Sequence, residues 1–133
     1  MTREGTGKTM VAAFDYKEQI KDGDKKLLFL AHRKEILDQS LYTFRNVLKD
    51  QNLGELWVGN HTPSEDTHLF ASVQTLNSNN NYMKFEKDYF DYIIIDESHH
   101  ASASSYLEIL EYYNPRILLG LTATPERMDG KIF

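Results

Sequence analysis

Short apolar runs alternate along this chain with longer stretches in which apolar residues recur every three or four positions. Leu27-Leu28-Phe29-Leu30-Ala31, Leu69-Phe70-Ala71-Ser72-Val73, Tyr92-Ile93-Ile94-Ile95 and Ile117-Leu118-Leu119-Gly120-Leu121 are continuous runs rather than strict alternations. Strands covered on both faces read this way, because neither face meets water. Leu56-Trp57-Val58 predicts a short extra strand. Between the runs the spacing predicts helices over 8–21, 34–49 and 104–113. In the second, Ile36, Leu37, Leu41, Phe44, Val47 and Leu48 recur at helical spacing. The third carries Tyr106, Leu107, Ile109, Leu110 and Tyr113. Such alternation predicts βα units with right-handed crossovers, hence an α/β fold with a mostly parallel sheet and helices on both faces. Asn77-Ser78-Asn79-Asn80-Asn81 reads as a polar surface loop. No repeat or linker divides the chain, so residues 1–133 read as one domain.

Composition narrows the function classes. With 41% hydrophobic residues in 133, the chain can bury one core. It has no cysteine, which excludes disulfides and thiolate metal sites. No apolar run approaches the ~20 residues of a membrane span. No signal peptide is visible, so the expected compartment is cytoplasmic. The formal net charge of −5 argues against a bulk electrostatic grip on DNA or RNA. A local face using side-chain donors and backbone amides stays open.

Three short motifs carry the chemistry. Gly5-Thr6-Gly7-Lys8-Thr9 opens the first helix. Glycines there let backbone N–H groups turn inward as an anion nest at a helix N-terminus. Lys8 would reach the β- and γ-phosphates of a nucleotide, and the Thr9 hydroxyl would ligate Mg²⁺. The pattern is incomplete: Thr2 stands where a glycine or alanine is wanted, and Glu4 adds a carboxylate beside a phosphate site. A glycine-rich tail before a helix would read similarly. Next, Ile93-Ile94-Ile95-Asp96-Glu97 is an apolar strand ending in two acids. At the C-terminal end of a parallel strand such side chains face the ligand crevice. Asp96 would hold Mg²⁺, and Glu97 would orient and deprotonate a water. An acidic turn capping a helix is the structural alternative. His99 and His100 follow, but His32, His61 and His68 are far away in sequence, so a polar link suits the pair better than zinc. Thr122-Ala123-Thr124-Pro125 closes the set.

Together these residues resemble the first motor domain of superfamily 2 helicases of the DExH group. Asp96-Glu97-Ser98-His99 supplies D-E-x-H, 5–9 most of motif I, and Thr122-Ala123-Thr124 motif III. Leu119 to Arg127 looks most like the motor subunits of type I and type III restriction enzymes and related DNA-repair helicases. Ala31-His32-Arg33-Lys34-Glu35 resembles motif Ia, and Ala71-Ser72-Val73-Gln74-Thr75-Leu76 the next DNA-contacting motif. The resemblance implies a RecA-like P-loop domain that binds ATP and Mg²⁺ and drives movement along nucleic acid, DNA rather than RNA. It places Gly5, Thr6, Gly7, Lys8, Thr9, Asp96 and His99 at the nucleotide. It makes Lys8 and Glu97 catalytic and Thr9 and Asp96 the Mg²⁺ ligands. Arg33, Lys34, Gln74 and Thr75 would meet the sugar–phosphate backbone, while Thr122 and Thr124 would couple the two sites.

Only four residues precede Gly5, so the strand expected to feed the phosphate loop is not in the sequence. An incomplete sheet, or a neighbour filling the gap, is the expectation. Family members carry a second RecA-like domain whose arginines complete the ATP site, and some carry a fused nuclease or regulatory domain. This chain alone is therefore expected to hydrolyse ATP barely, as part of an intact helicase or translocase. The alternative is a degenerate P-loop domain that binds nucleic acid or protein without hydrolysis, motivated by Thr2 and Glu4. A P-loop ATPase acting on protein would lack the motif Ia-like segment.

Overall fold

The computed structural model describes residues 6–19, 26–59, 67–96, 103–121 and 126–129; for 6–8, 103–105 and 126–129 only the backbone is described. In chain order the elements are α1 (Thr6–Gln19), β1 (Leu27–Ala31), α2 (Lys34–Val47), β2 (Glu55–Trp57), β3 (His68–Ser72), α3 (Val73–Asn77), a 3-10 segment (Ser78–Lys84), β4 (Tyr92–Asp96), α4 (Ala103–Tyr112), β5 (Ile117–Leu121) and β6 (Glu126–Asp129). The sheet order is β2-β3-β1-β4-β5-β6. Neighbours from β2 to β5 pair in parallel, and β6 pairs antiparallel with β5.

Side-chain alternation explains why the strands read as solid apolar runs. Leu27, Phe29 and Ala31 of β1 face one core with Tyr92 and Ile94 of β4. Leu28 and Leu30 face the other with Ile93 and Ile95. The first core is closed by Ala12, Ala13 and Tyr16 of α1 and by Leu37, Leu41 and Phe44 of α2. The second is closed by Leu76 of α3 and by Tyr106, Ile109 and Leu110 of α4. Helices thus cover both faces, as the sequence predicted. Each strand core residue is removed from water at roughly 25 cal/mol per Å² of apolar surface.

β4 and β5 pair directly from Tyr92↔Ile117 to Asp96↔Leu121, and among the described residues no strand leads into α1. Buried backbone N–H and C=O groups must find partners, and two apolar strands lying side by side satisfy each other. Residues 1–5, which lead into α1, lie outside the described residues.

Two local features refine the pattern reading. The asparagine stretch is exposed at Ser78, Asn79 and Asn80, and it joins two short 3-10 turns across a kink where Asn79 (φ 53°) and Asn80 (φ 54°) take left-handed conformations, which asparagine tolerates better than most residues. The segment after Ser72 is helical rather than strand, because the Ser72 side chain caps it by accepting from the Thr75 N–H at 3.0 Å.

At the N-terminal end of the strands, polar groups tie the layers together. The Tyr92 hydroxyl donates to the Asp15 carboxylate. Tyr16 hydrogen-bonds His68 at 2.7 Å, and its ring meets that of Tyr92 edge-on at 5.3 Å. Asp91 accepts from the Lys26 N–H at 3.0 Å. Tyr113 is fully buried with its hydroxyl on the Tyr82 carbonyl; burial, with Tyr112 nearby, pushes its phenol well above the usual range. On the far side of α1, Met10, Val11 and Phe14 are 42%, 57% and 51% exposed.

Candidate nucleotide and nucleic-acid site

Contacts at one end of α1 fix where its other end points. Asp15 and Tyr16, near the helix C-terminus, touch Tyr92 and His68, the first residues of β4 and β3. Thr9, Ala12 and Ala13 are buried along the same helix face. From Asp15 back to Thr9 the helix rises ~9 Å. From Tyr92 to Asp96 the strand rises ~13 Å. The start of α1 and Asp96 therefore lie toward the same end of the sheet, the C-terminal edge of the parallel strands. Open α/β sheets bind ligands at that edge.

Thr9 is 3% exposed and Asp96 is 4% exposed, so both candidate Mg²⁺ ligands stand out of bulk water. A hydroxyl and a carboxylate are the hard oxygen donors Mg²⁺ takes when phosphates and water supply the rest. The first turn of α1 holds no acid, as an anion-binding helix start requires. The donor set fits a Mg²⁺–nucleotide. Thr6, Gly7 and Lys8 lie in that first turn by backbone position. Gly5, Glu97, His99, Thr122 and Thr124 lie outside the described residues.

The nucleic-acid candidates divide. Arg33 and Lys34 are exposed, directly beyond the C-terminal end of β1. Arg33 is the N-cap of α2, its side chain making no cap hydrogen bond. Two cations beside the helix start leave backbone donors for an incoming anion. Gln74 is exposed on α3, but Thr75 is turned inward. Its hydroxyl receives Ser72 Oγ–H at 2.6 Å and the Gly59 N–H at 2.9 Å. Thr75 thus ties the β2 loop to the α3 cap, and Gln74 is the side chain of the pair that faces solvent.

Sequence reasoning took Tyr106 for core alone. Its hydroxyl donates to the Asp96 carbonyl at 3.1 Å, while its ring meets His32 edge-on, centroids 5.2 Å apart. The only hint in the sequence was a tyrosine on the first turn of the helix after the acidic motif.

Known proteins share the fold that carries this site. Residues 2–127 match the family model described as type III restriction enzyme, res subunit. The chain belongs to this restriction-enzyme res-subunit family. Similar proteins include a putative mitochondrial ATP-dependent helicase irc3 of Schizosaccharomyces pombe, 34% identical over 96% of this chain and 22% of that protein. Another is the type I restriction enzyme EcoAI endonuclease subunit of Escherichia coli, 34% identical over 92% of this chain and 16% of that subunit. The chain thus spans about a fifth of the relatives it matches. The Pyrococcus furiosus Hef helicase domain shares the fold at a TM-score of 0.69, with 24% identity, over 92% of this chain and 29% of that one. The res-subunit match, the helicase relatives and the shared fold support a RecA-like motor domain of the superfamily 2 helicase kind. No helix among the described residues is long and apolar enough to cross a membrane.

Proposed function

We propose that this domain binds Mg²⁺–ATP at the C-terminal edge of its sheet and couples hydrolysis to movement along DNA, as the first of two motor domains in a longer polypeptide. The observation that carries the reading is the convergence of the α1 start, buried Thr9 and buried Asp96 on the edge that also presents Arg33 and Lys34. Lys8 and the backbone donors of the glycine turn bind the phosphates. Thr9 and Asp96 hold the Mg²⁺ ion, which when bound neutralises charge on the phosphates. Glu97 positions the attacking water and accepts its proton. Arg33, Lys34 and Gln74 take the sugar–phosphate backbone, contacts that carry little sequence information. Thr75 holds Gln74's helix in place rather than meeting the strand with its own side chain. Thr122 and Thr124 relay between the two sites. The second motor domain completes the ATP site with arginine, a group worth roughly 10³–10⁵ in rate in related chemistry. The 133 residues alone therefore turn over ATP barely.

ATPase assays on the full-length polypeptide, with and without duplex DNA and beside Glu97→Gln, test the reading. DNA-stimulated turnover that the substitution removes supports it. ATP binding without turnover in the wild-type protein would instead favour a non-hydrolysing module.

A further inference from the structure

Tyr106 touches both halves of the candidate site from an element that belongs to neither. It stands on α4, 7% exposed. Its hydroxyl is bonded to the main chain of Asp96, the residue that ends β4 and is proposed to hold Mg²⁺. Its ring packs at 75° against the imidazole of His32. His32 follows β1 and precedes Arg33, the N-cap of α2 and a proposed backbone contact to DNA. β1 and β4 are neighbouring strands paired through Leu30↔Ile95, so the two segments that Tyr106 joins leave the sheet side by side.

We infer that Tyr106 is a positioning residue that couples the nucleotide state at Asp96 to the DNA-contacting segment at His32–Arg33. A phenol serves because one rigid ring offers two different handles. The hydroxyl follows the Asp96 carbonyl, and the ring edge or face follows the imidazole. A shift of the β4 end when Mg²⁺–nucleotide arrives must move Tyr106 or break its hydrogen bond, and either change alters the surface against which His32 rests. Close packing makes such neighbours move together rather than deform independently. The ring is otherwise held in the α3/α4 core, so the displacement is passed on instead of being absorbed by solvent.

The inference rests on the motor reading above, and the test separates the two. Affinity of the full-length polypeptide for a fluorescein-labelled DNA duplex is measured by anisotropy in ADP and in a non-hydrolysable ATP analogue. The ratio of the two dissociation constants is the coupling factor, typically about 5- to 150-fold where sites are linked. Tyr106→Phe keeps the ring on His32 and loses the bond to Asp96. His32→Ala removes the other handle. Each is expected to lower the coupling factor by about 2- to 30-fold, with the affinity for the analogue itself and the melting temperature nearly unchanged. The double variant is expected to lose no more than the larger single effect, since both act through one side chain. A role confined to packing would lower the melting temperature and leave the ratio alone. A wild-type ratio in Tyr106→Phe, or single effects that multiply in the double variant, overturns the inference while DNA-stimulated ATPase leaves the motor reading standing. Absence of that stimulation in the wild-type protein overturns both.

Discussion

The two ends of the sheet use polar groups in opposite ways. At the N-terminal end, Tyr92–Asp15, Tyr16–His68 and Asp91–Lys26 join side chain to side chain or to backbone across layers. The first two bonds fix α1 on the sheet, and the third joins the residues that lead into β1 and β4. At the C-terminal edge, Thr9 and Asp96 are as buried as core residues although their chemistry is that of ligands. The N-terminal end holds position, and the C-terminal edge carries the proposed chemistry beside structural bonds such as Ser72–Thr75 and Tyr106–Asp96. The difference follows from the parallel sheet: all helix starts that can bind anions gather at the C-terminal edge, so the opposite end is left for structural bonding. Substitutions should therefore separate stability from activity according to the end they touch.

The largest separation is expected at Asp96. Asp96→Asn keeps the shape and removes the charge proposed to hold Mg²⁺. Turnover of the full-length protein should fall about 10²- to 10³-fold, the scale on which a charge-stabilising group acts. Stability should stay level or rise, because a carboxylate 4% exposed is costly to keep out of water. Thermal unfolding beside ATPase assays checks both halves. A fall in melting temperature of ~4–8 °C, equivalent to about 1 kcal/mol in a small domain, would place Asp96 among the structural groups and break the contrast.

The N-terminal end should show the reverse, and Tyr113 tests it through pH. Burial raises its phenol pKa in the folded state, with the Tyr112 charge adding to the effect. The unfolded chain releases that proton near pH 10 while the folded chain keeps it. Above pH 10 the native state therefore binds more protons than the unfolded one, and stability falls as pH rises. The loss should reach about 1.4 kcal/mol by pH 11. Urea unfolding at pH 8 and pH 11 reads it, with Tyr113→Phe as the comparison. The variant should lose that part of the alkaline dependence. An identical dependence in both proteins would mean the phenol reaches water.

How much of this was legible beforehand depended on whether a feature is periodic or a matter of partners. The runs at 27–31 and 117–121 became β1 and β5 with the boundaries read from the sequence, since strands buried on both faces have no competing pattern. Helices 34–49 and 104–113 were right to within two residues, the usual uncertainty of fraying ends. The α3 helix was hidden because Ser72-Val73 continues an apolar run; its cap is a side-chain bond that spacing does not reveal. Thr75 read as a surface donor because threonine is polar, yet Gly59 and Ser72 claim its hydroxyl from elements distant or adjacent in sequence. Tyr106 read as core by its helical spacing and is core; its second role needs the Asp96 carbonyl beside it, which only the packing of α4 on β4 supplies. The sheet order escaped for the same reason: nothing in the sequence says that β5 lies against β4 rather than apart from it.

The smallest effect separates binding from stability at the C-terminal edge itself. Lys34 pairs with Asp38 at 3.0 Å, but the two side chains are 60% and 50% exposed, so the pair is worth little. Lys34 also opens α2, where its charge opposes the helix dipole. Lys34→Gln gives up the weak pair and relieves the unfavourable end, so stability should move by no more than about 0.5 kcal/mol. DNA binding should still change. If Lys34 neutralises one phosphate, the slope of log affinity against log salt becomes shallower by ~0.9 on duplex DNA, and the weakening is equal for unrelated sequences. Titrations at several salt concentrations measure it. An unchanged slope with weaker binding would mean that Lys34 acts on the fold of α2 and not on a phosphate, leaving Arg33 and the uncapped backbone donors to meet the strand.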